Sequence, residues 1–407
     1  MERLSVLWHW QTMGPYHFAR MRALAAMPDL DLTVVETTSL DDHGWARTGS
    51  SEGNLDVVTL SSEPFSRRLL KKTQPALHEI LGTRLPDLVI AAGYAEASSL
   101  NPIIRYRKVN PETLTVLWAD TTALDLPRKW LKESLKRLLL SVFDGAVTAS
   151  SAAASYLEGL GMAPEDVQVL GNCVDNDFFG RRAEEIRSKP NGDTLPEDYF
   201  LFVGRLVTDK NLSTLVDAYR RYRQEAGAGA WSLVLVGAGS EEPALRAKVA
   251  ERGITGVSFA GLRQADELPQ YYARAKCLIL ASTREPWGLV VNEAMACGLP
   301  VLVSDRCGCA QELVRPGVNG FLFDPLNLDS LTAVLRRVSS PDVCLEEMGR
   351  QSRSIVAEYS PLWFARRASS HFLSLRHRKK AAIGAFTSAG IRRSVAGGLS
   401  SIAGFLS

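Results

Sequence analysis

Two glutamates, Glu285 and Glu293, are separated by seven residues in the run Ser282-Thr283-Arg284-Glu285-Pro286-Trp287-Gly288-Leu289-Val290-Val291-Asn292-Glu293-Ala294-Met295-Ala296-Cys297-Gly298-Leu299-Pro300. The glycine and the apolar residues after it read as a turn that opens a helix. A helix start presents backbone N–H groups and the positive end of the helix dipole, which together favour a phosphate. The N–H groups of Gly288, Leu289 and Val290 are the candidate donors. An ionised carboxylate only accepts hydrogen bonds, so the two glutamates suit the hydroxyls of a sugar or ribose. Upstream, Phe202-Val203-Gly204-Arg205-Leu206 reads as an apolar strand whose end carries a guanidinium, and Lys210 follows in the next loop, before a helix beginning near Leu212. Fixed cations and N–H donors stabilise a leaving group on which negative charge grows. Taken singly, each group also reads as a solvated loop cation or as a glutamate favoured at a helix start.

Together these residues resemble the signature of retaining nucleotide-sugar glycosyltransferases of family 4, commonly written around Glu-Pro-Phe-Gly; here Trp287 keeps an aromatic at the Phe position. The likeness extends to Lys210-Asn211, Gly237-Ala238-Gly239, Phe259-Ala260-Gly261 and Gly317-Val318-Asn319-Gly320-Phe321, which follow the family's order and rough spacing. Ala146-Val147-Thr148-Ala149-Ser150 and Asn172-Cys173-Val174-Asp175 with Phe178 and Phe179 match the end of the family's N-terminal domain. The similarity is strong from about Asp144 to Phe323 and weak before it. It implies that Arg205 and Lys210 hold the diphosphate, Glu285 the hydroxyls of the donor sugar and Glu293 those of the ribose. Arg263 would then lie near the nucleobase. The resemblance also implies a front-face displacement in which the leaving phosphate takes the acceptor's proton, with no metal and no cofactor besides the nucleotide-sugar co-substrate. It departs from the family in two places. The loop Gln11-Thr12-Met13-Gly14-Pro15-Tyr16-His17 carries one glycine where relatives have several, leaving Gly14 to reach the donor phosphate and His17 to face the acceptor. After Leu114–Trp118, where many relatives place a histidine, Asp120 is the only titratable group, so it becomes the candidate acceptor for substrate hydroxyls, with a turn cap as the plain alternative.

The elements that must position these residues are short apolar runs alternating with helical patterns, an α/β arrangement with parallel sheets. Strands are expected at Leu4–Trp8, Leu32–Glu36, Leu88–Ala91, Leu114–Trp118, Gly145–Ala149 and Val167–Leu170. A second set is expected at Tyr199–Val203, Ser232–Val236, Val257–Phe259, Cys277–Leu280, Pro300–Val303 and Gly320–Phe323. At 407 residues the chain exceeds what one core usually serves. The expected division is residues 1–180 as an acceptor-side Rossmann-like domain, a charged linker 181–197, and residues 198–358 as the nucleotide-sugar-binding domain. Residues 359–380 form a helix returning to the first domain, and 381–407 a tail, disordered or amphipathic. The resemblance implies the GT-B fold, two doubly wound domains facing a central cleft.

Hydrophobic content of 46% with 23% charged residues is that of a soluble globular protein, and a net charge of +2 gives no argument for nucleic acid. The six cysteines lack paired metal-ligand spacing, Cys307-Gly308-Cys309 being the nearest approach to it, and free thiols fit a cytoplasmic protein. Asp29-Leu30-Asp31 and Asp175-Asn176-Asp177 have the form of metal-binding carboxylate pairs, but the first precedes a strand far from the motif and the second matches a structural turn of the family. The residues after Met1 are too short and wrongly flanked for a signal peptide. Pro127–Leu140 is a basic amphipathic pattern with Arg128 or Lys129, Lys132 and Lys136 on one face and Leu131, Leu135, Leu138 and Leu139 on another. Arg67-Arg68 and Lys71-Lys72 repeat the basic theme. This adds an anionic membrane surface, on the inner face of the cell membrane, to the expected partners, which are a UDP- or GDP-linked sugar and a glycan or lipid-linked acceptor. The expected function is a metal-independent, retaining hexosyltransferase of surface polysaccharide or glycolipid synthesis. A sugar phosphorylase, a nucleotide-sugar epimerase and an inactive nucleotide-binding scaffold stay open as alternatives on the same architecture.

Overall fold

The computed structural model describes residues 3–40, 55–93, 97–123, 130–190 and 195–388. The chain forms two compact units, one of residues 1–171 with 361–407 and one of residues 172–360.

The first unit runs β1 (Leu4–Thr12), α1 (Pro15–Ala25), β2 (Leu30–Thr38), β3 (Asp56–Thr59), α2 (Arg67–Arg84), β4 (Leu88–Ala92), α3 (Ala97–Val109), β5 (Leu114–Trp118), α4 (Trp130–Leu140), β6 (Gly145–Thr148), α5 (Ser151–Gly159) and β7 (Val167–Val169). Among the described residues its seven strands are ordered β3-β2-β1-β4-β5-β6-β7, and all pair in parallel. Central strands such as β5 are buried along their whole length, which is why they read as continuous apolar runs rather than alternating ones. β3 was not anticipated: its pattern is half-buried at best, as befits an edge strand with one partner.

The second unit runs α6 (Asn176–Arg187), β8 (Tyr199–Val203), α7 (Leu212–Ala226), β9 (Ser232–Val236), α8 (Glu242–Glu251), β10 (Val257–Gly261), α9 (Leu268–Arg274), β11 (Cys277–Leu280), α10 (Leu289–Ala296), β12 (Val301–Ser304), α11 (Ala310–Leu313), β13 (Gly320–Phe323), α12 (Leu328–Val338) and α13 (Leu345–Ala357). Its sheet is ordered β10-β9-β8-β11-β12-β13, again all parallel. A final helix, α14 (Pro361–Ser388), belongs to the first unit. There Phe364 and Phe372 pack on Trp8, and Lys379 bonds the Thr113 carbonyl at 2.7 Å and Asp144 at 3.1 Å. The Asp144 carboxylate also pairs with Arg107 at 2.8 Å and accepts from the Thr115 N–H, which ties this helix to the base of β5.

The boundary expected at residue 180 falls instead between 171 and 172, and the first part of the expected linker is helical. The charged residues that suggested a linker are the solvated face of α6. Its other face buries Phe179 and Ala183, and Arg187 donates to the carbonyls of Ala273 at 2.8 Å and Cys297 at 2.7 Å within the second unit. The helical expectation for residues 127–140 also changes in detail. Residues 127–129 lie outside the described residues, with Arg128 and Lys129 among them. Lys136, placed on the basic face by the sequence pattern, is turned inward to Glu133 at 2.9 Å and to the Tyr156 hydroxyl at 2.6 Å. Leu131 and Leu138, placed on the apolar face by the sequence pattern, are exposed beside Trp130, while Leu139 and Leu140 enter the core. The tail expectation for 381–407 lies mostly outside the described residues. Among the described residues no helix is long and apolar enough to cross a membrane.

Candidate active site

In the second unit strand order reverses between β8 and β11, which pair directly (Phe200 with Cys277, Leu201 with Leu278). Ligands of open parallel sheets bind beyond the carboxyl ends of the strands at such a switch point. The segments leaving those two ends are Gly204–Asn211 and Ala281–Gly288, so the topology delivers both halves of the sequence motif to one place. Lys210 and Glu285, 75 residues apart in the chain, form an ion pair there, each side chain 14% exposed. Next to it, Arg284 pairs with Asp209 at 2.7 Å, and the Thr283 N–H donates to the Asp209 carbonyl at 2.9 Å. Ser282 Oγ lies 3.4 Å from the Glu285 carboxylate. Arg205 is exposed at the same strand end; a Cβ built on Gly204, the residue before it, would lie 3.9 Å from Lys210 Cε.

The turn carrying Glu285 is held by backbone. Gly288 takes φ +105° and caps α10; a Cβ there would also fall 2.8 Å from Leu280 Cδ2. Both facts call for glycine. Beyond it, Leu289 and Val290 begin the helix half-buried, and the first N–H groups of a helix have no intrahelical acceptor. On the other side Cys307-Gly308-Cys309 lies along the turn like a strand: Gly308 N–H donates to Glu285 O at 2.9 Å and Cys309 N–H to Trp287 O at 3.1 Å. Burial first, and then the nearby Glu285 carboxylate, push the Cys307 thiol up, with Lys210 partly opposing; Cys309 is pushed up by burial, then by Cys307 and Glu285. Both sulfurs are therefore protonated packing groups beside the ion pair. Among the described residues no cluster of three or more His, Cys, Asp or Glu side chains could hold a metal.

Glu293 lies deeper. It is 1% exposed and accepts from the Tyr272 hydroxyl at 2.5 Å, joining α9 to α10 beneath the turn. Asn292 is likewise internal, accepting from Trp287 Nε1 at 2.8 Å and donating to Asn172 O at 3.0 Å. Arg263 follows β10, where its Nε donates to the Tyr271 hydroxyl at 2.8 Å. The Gly237-Ala238-Gly239 stretch serves close packing: a Cβ on Gly237 would fall 1.9 Å from Gly204 O, and one on Gly239 2.3 Å from Leu206 O. These glycines let the loop after β9 support the loop that carries Arg205, through Leu206 N–H to Ala238 O at 2.9 Å.

Gly14, His17 and Asp120 belong to the first unit, around three indoles. Gly14 N–H donates to His17 Nδ1 at 3.1 Å, and the imidazole stands edge-on to Trp10 with centroids 4.5 Å apart. Burial, reinforced by Arg20, holds His17 well below the usual histidine range, so it is neutral. Asp120 accepts from Trp118 Nε1 and from the Ala149 N–H, both at 2.9 Å, so its two oxygens join the ends of β5 and β6, the capping alternative. Three contributors were not singled out from sequence. Asp209 and Arg284 each stand one residue before a site residue, and Glu36, fully buried, accepts from Met13 N–H and Thr59 Oγ1 below the Gly14 loop.

Residues 183–354 match the family described as glycosyl transferases group 1. The chain is 27% identical over 285 residues to MMP alpha-(1->4)-mannosyltransferase of Mycolicibacterium hassiacum, covering 69% of this chain and 65% of that one. It is 26% identical over 263 residues to sulfoquinovosyl transferase SQD2 of Arabidopsis thaliana (59% of this chain, 49% of that one). It is 29% identical over 205 residues to the lipopolysaccharide 1,6-galactosyltransferase of Salmonella typhimurium (49% and 54%). Matches to these curated relatives thus span about half to two thirds of their length. Among solved structures, the lipopolysaccharide outer core galactosyltransferase WaaB superposes with a TM-score of 0.67 at 20% identity, covering 91% of this chain and 99% of that one. Anabaena Alr3699/HepE in complex with UDP superposes with a TM-score of 0.67 at 19% identity, over 91% and 100%. The fold is thus two Rossmann-like parallel-sheet units of the GT-B kind, and the second bears the sequence that is similar to the group 1 glycosyl transferases.

Proposed function

We propose that the protein moves a hexosyl group from a UDP- or GDP-linked sugar to a glycan or lipid-linked acceptor, with retention of anomeric configuration. The observation that carries this reading is the meeting of Lys210 and Glu285 at the β8/β11 switch point, beside the start of α10. A cation and helix-start N–H groups suit a diphosphate, and a carboxylate suits sugar hydroxyls. In the proposed reaction the C1–O bond to the diphosphate breaks and negative charge accumulates on its oxygens. Lys210, Arg205 and the N–H groups of Gly288, Leu289 and Val290 stabilise that charge, a role that needs no metal ion. The acceptor hydroxyl attacks C1 from the face the diphosphate leaves, and its proton passes to the departing phosphate oxygen.

In this reading Glu285 holds the sugar, Glu293 approaches the ribose from below the turn, and Arg263 stands toward the nucleobase. In the first unit, neutral His17 is the proposed contact for the acceptor, Asp120 for substrate hydroxyls and Gly14 for the donor phosphate. Named relatives that move mannosyl, galactosyl and sulfoquinovosyl groups support the donor class, as do HepE structures with UDP and UDP-glucose. A lipid-linked acceptor at an anionic membrane is supported by α4, where Trp130 is 80% exposed, Leu131 55% and Leu138 42%, beside exposed Lys132 and Arg137.

The test is a turnover screen of UDP- and GDP-hexoses with sugar and lipid-linked acceptors, with the product's anomeric configuration read by NMR. The expected result is one donor used with retention. Lys210→Ala is expected to lower kcat about 10²- to 10³-fold, as loss of one electrostatic donor does elsewhere, while the protein stays folded. An inverted product, or full turnover in Lys210→Ala, contradicts the reading.

A further inference from the structure

Lys210 and Glu285 are given different ligands by the proposed function, yet in the structure each is the other's partner. Both are largely withdrawn from water, so each charge depends on its neighbour. Beside this inner pair, Asp209 and Arg284 form an outer pair with both side chains 46% exposed. Residues 209 and 210 of one loop thus meet residues 284 and 285 of the other as two adjacent rungs of opposite polarity. The Thr283 N–H and Oγ1, both directed at the Asp209 carbonyl, fix the register from the backbone.

We propose that Glu285 is a built-in competitor for the diphosphate at Lys210, and that diphosphate binding releases it to hold the sugar. The inference rests on the functional reading above. A diphosphate approaching Lys210 meets the Glu285 carboxylate as a like charge, and the two anions contend for one ammonium. When the diphosphate takes the ammonium, the carboxylate loses its cation and turns to the hydroxyl donors of the attached sugar. A free sugar has only neutral hydroxyls and cannot draw Lys210 away, so sugar recognition follows diphosphate recognition. The outer rung and the Thr283 contacts keep the two loops together while the inner rung changes partners, which confines the exchange to two side chains.

Removing a residue from a binding site ordinarily weakens binding; here the sign reverses. By isothermal calorimetry on the full chain with inorganic pyrophosphate, Glu285→Gln is expected to bind about tenfold more tightly than wild type, the scale of a close charge pair relieved. Glu285→Ala should shift in the same direction and serves if the glutamine variant folds poorly, as judged by circular dichroism. Lys210→Met should weaken binding, and adding Glu285→Gln to it should then raise affinity by clearly less than the roughly tenfold gain in wild type, the signature of coupling through Lys210. If Lys210→Met weakens binding while Glu285→Gln and Glu285→Ala leave it unchanged or weaker, the competition is refuted and the diphosphate site stands. If Lys210→Met has no effect on pyrophosphate, the diphosphate reading fails, and the competition with it.

Discussion

Gly308→Ala puts the architecture of the site under direct strain. A Cβ at Gly308 would lie 1.8 Å from the Pro286 carbonyl oxygen and 3.3 Å from the Trp287 nitrogen, both backbone atoms of the turn that carries Glu285. No rotamer relieves such a clash, so the strand-like segment and the turn must separate. Separation breaks the bonds from Gly308 N–H to Glu285 O and from Cys309 N–H to Trp287 O. Two buried backbone hydrogen bonds, at about 1 kcal/mol each net and more where a partner is left unpaired, set the loss at about 2–4 kcal/mol. Movement of the turn by about 1 Å is enough to lower turnover roughly 100-fold. Gly82→Ala is the contrasting change: it lies inside α2, with nothing within 4 Å of its would-be Cβ, and should stabilise by about 0.5–1 kcal/mol. Urea unfolding gives both stabilities, and donor hydrolysis or transfer gives the rate. A Gly308→Ala protein within about 0.5 kcal/mol of wild type and fully active refutes the claim that this segment braces the turn.

Stability should also depend on pH through two core histidines. Burial holds His9 and His371 down to about 4, from an ordinary value of 6.5. Between those limits the unfolded chain binds more protons than the folded one, so stability is fully present above about pH 6.5, falls as pH drops, and levels off below about pH 4, by at most about 3 kcal/mol per histidine. Chemical denaturation across that range in wild type, His9→Gln and His371→Gln checks it; an unchanged slope in both variants contradicts the assignment. For α4, Trp130→Ser with Leu131→Ser should reduce sedimentation with vesicles containing anionic lipid several-fold and leave binding of a soluble donor unaltered. Equal sedimentation of the double variant removes the membrane reading.

Much of this architecture was legible because it is written in residue type. Strands buried on both faces, such as Tyr199–Val203 and Leu114–Trp118, appear as uninterrupted apolar runs. The edge strand Asp56–Thr59 has no such run, since only part of it is covered. α6 was misread because Arg181, Arg182, Glu184 and Glu185 dominate its composition, whereas the informative residues are the two that its buried face presents, Phe179 and Ala183. The rotation of α4 was illegible for a related reason: Lys136 satisfies its charge against Glu133 and Tyr156, and that local pairing outweighs the pull of the leucine pattern. At the site, the types and loops of Lys210 and Glu285 could be read, but their pairing depends on β8 and β11 being neighbours, a property of sheet order. Glu293 shows the limit of reading residue type alone. Its carboxylate suits a sugar hydroxyl and equally suits the Tyr272 hydroxyl that it holds.

The central claim is that the loop after β8 and the turn before α10 together take the diphosphate of a nucleotide-sugar. Thermal denaturation of wild type and Lys210→Ala with UDP, GDP and their hexose conjugates tests it most directly. A ligand at a hundred times its dissociation constant stabilises by about 2.7 kcal/mol. One nucleoside diphosphate should raise the melting temperature of wild type, and that rise should largely vanish in Lys210→Ala. Equal shifts in the two proteins, or none with any nucleotide, would contradict the account.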